Sequence, residues 1–298
     1  MEKQYSTGIK VLAMMGLLLT TVIWGGSFVV MKNSVDTLTP TFLLAVRFTM
    51  ASITMVTVFH KKIAEMNKES FKCGLILGVF LEFSYLFQTY GIKYTTASKN
   101  AFITALYVII VPFLYWFFSK KKPAVKSIAA AVMAVCGLAL LTLDGDKGVN
   151  IGDVLTLMGG FCFAFHMIFI DRYTEKHDPI FLTMIQILFV GVINWFTVPI
   201  FDGFGAYDFH ALADRDMIFG LLFLAIFCTT IAFSLQNVCQ KYLSANTSSL
   251  FLSTESVFGT IFSVIFLKEV LSGRMITGCV LMFSAVILSE LHVKKQEG

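Results

Sequence analysis

QTYGIKYTTASKNAFITALYVIIVPFLYWFFSKKKPAVK, residues 88–126, decides the fold, because a relative of it occurs 148 positions later. That relative is QNVCQKYLSANTSSLFLSTESVFGTIFSVIFLKEVLSGR, residues 236–274. The register holds without a gap: Gln88 falls on Gln236, Tyr94 on Tyr242, Ala97 on Ala245 and Tyr107 on Glu255. Each copy reads as a polar turn, a long apolar run, a charged turn and a second apolar run. A weak internal repeat in an apolar chain is the mark of a transporter built from two halves.

Working outward, composition settles the class. Apolar residues make up 57% and charged residues only 14%, and the mean hydropathy is +0.79; an ordinary soluble domain is about 25% charged. Several apolar runs approach the roughly 20 residues that cross a bilayer as a helix. A β-barrel is excluded, because its strands would alternate over segments of roughly 10 residues. The reading is therefore an all-α, polytopic membrane protein with ten transmembrane helices. They fall near 10–31, 39–59, 73–92, 97–118, 125–143, 152–171, 179–200, 216–236, 246–267 and 272–291. The six cysteines show no CxxC or CxxH spacing and read as buried free thiols.

The loops orient the chain. With the N-terminus inside, fifteen Lys and Arg fall on the inner side, Lys61, Lys62 and Lys120 to Lys122 among them, and seven on the outer side. The positive-inside rule then places both termini in the cytoplasm, the 60–72 and 120–124 loops inside, and the 144–150 and 202–214 loops outside. The net charge of +4 reflects this asymmetry and does not point to nucleic acid. Five spans per repeat is an odd number, so the copies enter the membrane in opposite senses. They are expected as inverted five-helix repeats, at 8–143 and 150–291. Before the central loops the copies match at an offset of 139, TPTFLLAVR (39–47) on DPIFLTMIQ (178–186). Pro40 and Pro179 each stand at a span's first turn, where a missing N–H is harmless.

The chain resembles the drug/metabolite transporter superfamily, specifically the ten-helix EamA-type permeases. WGGSFVVMK (24–32) is similar to that family's first-helix signature, and TPTFLLAVRF (39–48) to its second helix with an embedded Arg. Residues 87–113 and 252–288 resemble its third-to-fourth and ninth-to-tenth helix blocks. Ser256 follows Glu255 where the family usually has proline. The resemblance implies a multi-pass protein of the bacterial plasma membrane. It implies a secondary transporter that moves small metabolites, amino acids or related compounds, outward by alternating access, with no cofactor. Its partners would be a small-molecule substrate and the lipid bilayer, with room for coupling protons and a homodimer.

Ionisable groups inside a membrane span cost about 2.5–3.5 kcal/mol at a helix centre on insertion scales and mark function. Arg47, Glu82, His166 and Glu255 stand out. Helical spacing groups Gly78, Glu82, Tyr85 and Thr89 on one arc, and Asn100, Thr104, Tyr107 and Val111 on another. Trp24 aligns with Ser27 on the first span, and Gln186 with Asn194 on the seventh. The repeat superposes Arg47 on Gln186, Ser27 on His166 and Thr89 on Asn237. The expected cavity lining is thus Trp24, Ser27, Arg47, Glu82, Tyr85, Asn100, Tyr107, His166, Gln186, Asn237 and Glu255. Arg47 would bind a carboxylate or pair with a Glu. Glu82 and Glu255 would bind a cation or carry a proton. The bland reading of the smaller polar groups is helix-to-helix glue. Pro112 is expected to kink the fourth span by freeing the Val108 carbonyl. The competing function is an intramembrane enzyme acting on a lipid-like substrate through His166 with Asp171 or Glu82. No HExxH, G-x-S-x-G or P-loop motif supports an enzyme.

Overall fold

The computed structural model describes residues 5–65, 67–119, 125–142 and 150–290. The 120–124 loop, and the 144–150 loop except Asn150, lie outside them. Every regular element among the described residues is helical. The order is α1 (Thr7–Val35), α2 (Pro40–Phe59), α3 (Lys68–Tyr94), α4 (Ala97–Thr104), α5 (Tyr107–Ser119), α6 (Val125–Thr142) and α7 (Ile151–Tyr173). There follow α8 (Pro179–Phe201), α9 (Arg215–Leu222), a π-helical stretch (Phe223–Ile231), α10 (Ala232–Gln240), α11 (Ala245–Ser253), α12 (Glu255–Phe266) and α13 (Gly273–Glu290). Among the described residues, eight rods are long and apolar enough to cross a bilayer, and α6 and α13 carry shorter apolar stretches. All ten expected spans are accounted for, three of them (α4–α5, α9–α10 and α11–α12) as compound rods. The six cysteines are unpaired, but only Cys73, Cys228 and Cys239 are buried as expected; Cys162 and Cys279 are half-buried and Cys136 is exposed.

The rods start where a side chain can satisfy the free N–H groups of a first turn. Asn67 and Asn150 form capping boxes with Ser70 and Asp153. Thr96 caps α4 and Ser244 caps α11, two positions related by the offset of 148. Asp178 caps α8, and its carboxylate also meets the Lys62 ammonium at 2.7 Å. Burial alone would raise the Asp178 pKa. The Lys62 bond and the amide of Phe181 outweigh it and hold the carboxyl below its ordinary range.

The rods pack in related pairs. α7 lies against α3 and against α4–α5, while α1 lies against α10 and against α11–α12. The pairs α2–α8 and α6–α13 complete the bundle. Small residues make the approaches close, as lipid-embedded helices require when no hydrophobic effect drives them together. A Cβ at Gly91 would sit 2.3 Å from Thr156 Oγ1, and one at Gly25 2.5 Å from Phe258 Cβ. The α1-start side of the bundle is the N-face; the side where α1 ends is the far face. On the far face the 202–214 loop folds back, with Tyr207 and Phe209 set edge-on to Phe42.

The break in the fourth span differs from the expected kink at Pro112. α5 runs through Pro112, and the interruption lies at Ala105–Leu106. There the bonding tightens to i→i+3, with Val108 N on Ala105 O and Ile109 N on Leu106 O. The equivalent rod breaks at Thr254 without any proline, again through i→i+3 bonds. The two breaks sit at repeat-related positions, so the break belongs to the architecture rather than to Pro112.

Candidate functional site: a central cavity between the broken helices

The two breaks face each other across a small cavity of about 30 Å³. Tyr107 opens α5 on one side and Glu255 opens α12 on the other, and both line the cavity. Glu255 is only 4% exposed. The Tyr107 hydroxyl lies near it but is not hydrogen-bonded to it, having no partner among the described residues. Trp24 from α1 is fixed by a bond from its Nε1 to the Cys228 carbonyl, 2.8 Å. Tyr85 from α3 closes the wall opposite. Gln88 reaches Thr104 at 3.1 Å, while the Gln236 side-chain oxygen has no hydrogen-bond partner.

The lining follows the repeat. Trp24 and Phe163, Phe28 and Met167, Gln88 and Gln236, Thr104 and Leu252, and Tyr107 and Glu255 are pairs at the two offsets, and every member lines the cavity. Each half therefore contributes an aromatic or thioether wall, a glutamine and a helix break. The chemistry departs from the symmetry at the break, where one half has a phenol and the other a carboxylate.

Five residues singled out from the sequence meet here: Trp24, Ser27, Tyr85, Tyr107 and Glu255. The other six are buried behind the lining. Arg47 is 1% exposed and lies behind Tyr85. Its Nε donates to Thr229 Oγ1 at 2.8 Å, and a terminal nitrogen donates to Tyr85 Oη at 3.2 Å. The guanidinium also stacks on the Tyr85 and Phe48 rings at 4.7 and 5.4 Å. Among the described residues no carboxylate lies within ion-pairing distance of it, so the expected Arg–Glu pair is absent. Glu82 turns to α8 and accepts from Asn194 at 2.6 Å, leaving its second oxygen bare. Asn100 ties α4 to Thr156 of α7 at 2.7 Å. His166 and Gln186 bond each other at 2.6 Å, and Asn237 donates to Thr183 at 2.7 Å. His166 thus faces Gln186, not Asp171 or Glu82.

Sequence reasoning missed Phe28, Gln88, Phe163, Met167, Gln236 and Leu252 as lining. The signal for them was present: the offset applied to Trp24 returns Phe163, and Gln88 with Gln236 opens the repeated stretches. It also missed the π-helical stretch, whose extra residue per turn lets Thr229 and Thr230 bond carbonyls five residues back and presents Thr229 to Arg47. Such stretches concentrate at functional sites.

A bundle of membrane-length helices around a buried polar cavity, with helices broken at its walls, defines a membrane transporter of the repeat-built class. The chain belongs to the EamA-like transporter family, whose profile matches residues 11–143 and 150–291. It is 32% identical over 287 residues to an uncharacterized transporter of Archaeoglobus fulgidus, covering 96% of this chain and 88% of that one. It is 24% identical to a probable amino-acid metabolite efflux pump of Escherichia coli, covering 91% and 92%. A solved crystal structure superposes with a TM-score of 0.71 at 14% identity, over 97% of this chain and 99% of that one, which speaks for the fold alone.

Proposed function

We propose that this transporter exports small amphipathic metabolites such as amino acids by alternating access, in exchange for protons. The observation that carries it is Glu255: a buried carboxylate at a helix break, open to the cavity, with Tyr107 as its polar neighbour. A carboxylate so placed has two ways to lose the cost of its charge: bind a proton or bind a substrate cation. When one site serves both, each ligand displaces the other, and that is exchange. The aromatic walls, Trp24 and Tyr85, suit the apolar part of an amphipathic substrate or its cationic end. The name of the Escherichia coli relative points the same way.

Counterflow tests the class. Proteoliposomes loaded with unlabelled amino acid should take up the labelled one transiently and return it chemically unchanged. Uptake no faster than in protein-free vesicles, across a panel of amino acids and related metabolites, would sink the substrate reading. A chemically altered product would favour the enzyme.

The inner side of a bacterial plasma membrane is assigned to the N-face, from the excess of basic residues on the loops there. Gly205 sits in the folded 202–214 loop, with open space around its Cα. In a cysteine-free background, Gly205→Cys is expected to react with an impermeant thiol reagent on intact cells, and His60→Cys only after lysis. The reverse pattern would invert the topology.

A further inference from the structure

The cavity is short of space and rich in acceptors. Its volume of about 30 Å³ holds roughly two waters or one small polar head group, and no whole metabolite. Each side-chain nitrogen in the wall already has an acceptor in the protein. Trp24 Nε1 donates to the Cys228 carbonyl, Gln88 Nε2 to Thr104 at 3.1 Å and Gln236 Nε2 to Gln240 Oε1 at 3.1 Å. The Ser27 hydroxyl is spent on the Trp24 carbonyl at 2.7 Å. Among the described residues that line the cavity there is no Lys, Arg or His. What the wall still offers is the Glu255 carboxylate, the Gln236 side-chain oxygen and the Tyr107 hydroxyl, the last two without a partner among the described residues.

The Gln236 amide is set that way round by its neighbours. The Met167 carbonyl can only accept, and Gln240 Nε2 donates to it at 3.5 Å. That turns Gln240 Oε1 toward Gln236, which must meet it with its NH₂. The oxygen of Gln236 is then the bare end, in a side chain only 2% exposed. A buried carbonyl oxygen without a donor is costly, so a ligand that brings a donor to it is favoured.

Two kinds of cationic head could meet Glu255, and they ask different things of the wall. A primary ammonium carries N–H donors and no acceptor. A quaternary ammonium has no donor and is held by aromatic faces. The Tyr85 ring already carries the Arg47 guanidinium at 4.7 Å, and a second cation on that ring would be repelled by the first. Bare acceptors at one side and an occupied ring at the other fit the primary head.

We infer that Glu255 and Gln236 form a subsite for a primary ammonium group, Glu255 meeting its charge and the Gln236 oxygen one of its N–H groups, and that Gln236 sets primary amines apart from methylated ones. The assignment deepens the transporter reading and rests on it for calling the ligand a substrate. The Tyr85 side, backed by Arg47, is left for the rest of the molecule.

The test reads binding and needs no transport. Phenethylamine and its N-methyl, N,N-dimethyl and N,N,N-trimethyl forms are all cations at neutral pH and differ in donors and head size. Calorimetry on the purified full-length protein should find the primary amine tightest, and each added methyl weaker by about tenfold, the scale of one hydrogen bond to a charged group. Gln236→Met should weaken the primary amine by about tenfold and the trimethylated form hardly at all. Gln236→Asn, which draws the oxygen back by one methylene, serves if the first variant does not elute as folded protein, and should show the same selective loss in smaller measure. A trimethylated form that binds wild-type protein as tightly as the primary amine, or a primary amine that does not bind, overturns the subsite. Wild-type discrimination in a folded Gln236→Met overturns the role of Gln236. The expected order in a protein that gives no counterflow of the same amine would keep the subsite and sink the transport reading. Counterflow of all the forms with equal affinity would do the reverse.

Discussion

Glu255→Gln is expected to abolish gradient-driven transport and leave exchange at a reduced rate. An imposed difference of one pH unit is worth about 1.4 kcal/mol per proton, so one-for-one exchange of a proton for a monocationic substrate, which moves no net charge, drives a substrate ratio of roughly tenfold. Wild-type protein in vesicles should reach that ratio. The substituted glutamine side chain keeps the shape and the hydrogen-bonding reach toward Tyr107 but has no proton to lose. Substrate should then equilibrate to equal concentrations on both sides, while counterflow persists at a reduced rate. Glu82→Gln should retain the ratio, because Glu82 faces Asn194 of α8 rather than the cavity. Accumulation to the wild-type ratio by Glu255→Gln at equal protein per vesicle would remove Glu255 from coupling. The site and the direction of this effect follow from the geometry of the break, where the carboxylate is buried but faces open space.

The second large effect is expected at Arg47. Its partners are neutral and come from three helices: Thr229, Tyr85 and Met31. A buried ion with no counter-ion among the described residues is costly, so an apolar side chain of similar length is expected to be tolerated in its place. Such a charge is not kept for stability. Arg47→Met should therefore melt at or above the wild-type temperature, since the two hydroxyls it releases keep other outlets: Thr229 bonds the Leu224 carbonyl and Tyr85 borders the cavity. Arg47 stands behind Tyr85, off the cavity wall, so its effect on binding passes through Tyr85: affinity for substrates bearing a carboxylate should fall by about tenfold, the scale of about 1.4 kcal/mol. Arg47→Lys keeps the charge but loses the planar fork that reaches Thr229 and Tyr85 together, and should bind at an intermediate level. Wild-type affinity in a folded Arg47→Met, by calorimetry or ligand-induced thermal shift, would leave Arg47 without a role in recognition. A large fall in melting temperature would show instead that it braces the bundle.

The sequence by itself determined the class, the number of spans and most helix starts, α3 beginning at Lys68 rather than near 73. Those properties are local: an apolar run must find a bilayer, and a Ser, Thr, Asn or Asp before it must cap the first turn. The repeat register was legible as well, because it is a one-dimensional property, and applied to Trp24, Gln88 and Tyr107 it names half of the cavity's wall. Helical arcs were a poorer guide. Asn100, Thr104 and Tyr107 share an arc, yet only Thr104 and Tyr107, on either side of the break at Ala105–Leu106, line the cavity. Asn100 serves a helix contact with Thr156 instead. Which face of a buried span meets the cavity is a relation among several helices. Glu82, Arg47, His166, Gln186 and Asn237 are as buried as Glu255, and burial is all that intramembrane charge or polarity can announce in a sequence. Their partners decided the rest: Asn194 drew Glu82 to α8, Gln186 engaged His166, Thr183 engaged Asn237, and a π-helical stretch invisible to periodicity carried Thr229 to Arg47. Only tertiary structure could place these contacts, because each joins residues that the chain brings together from different spans.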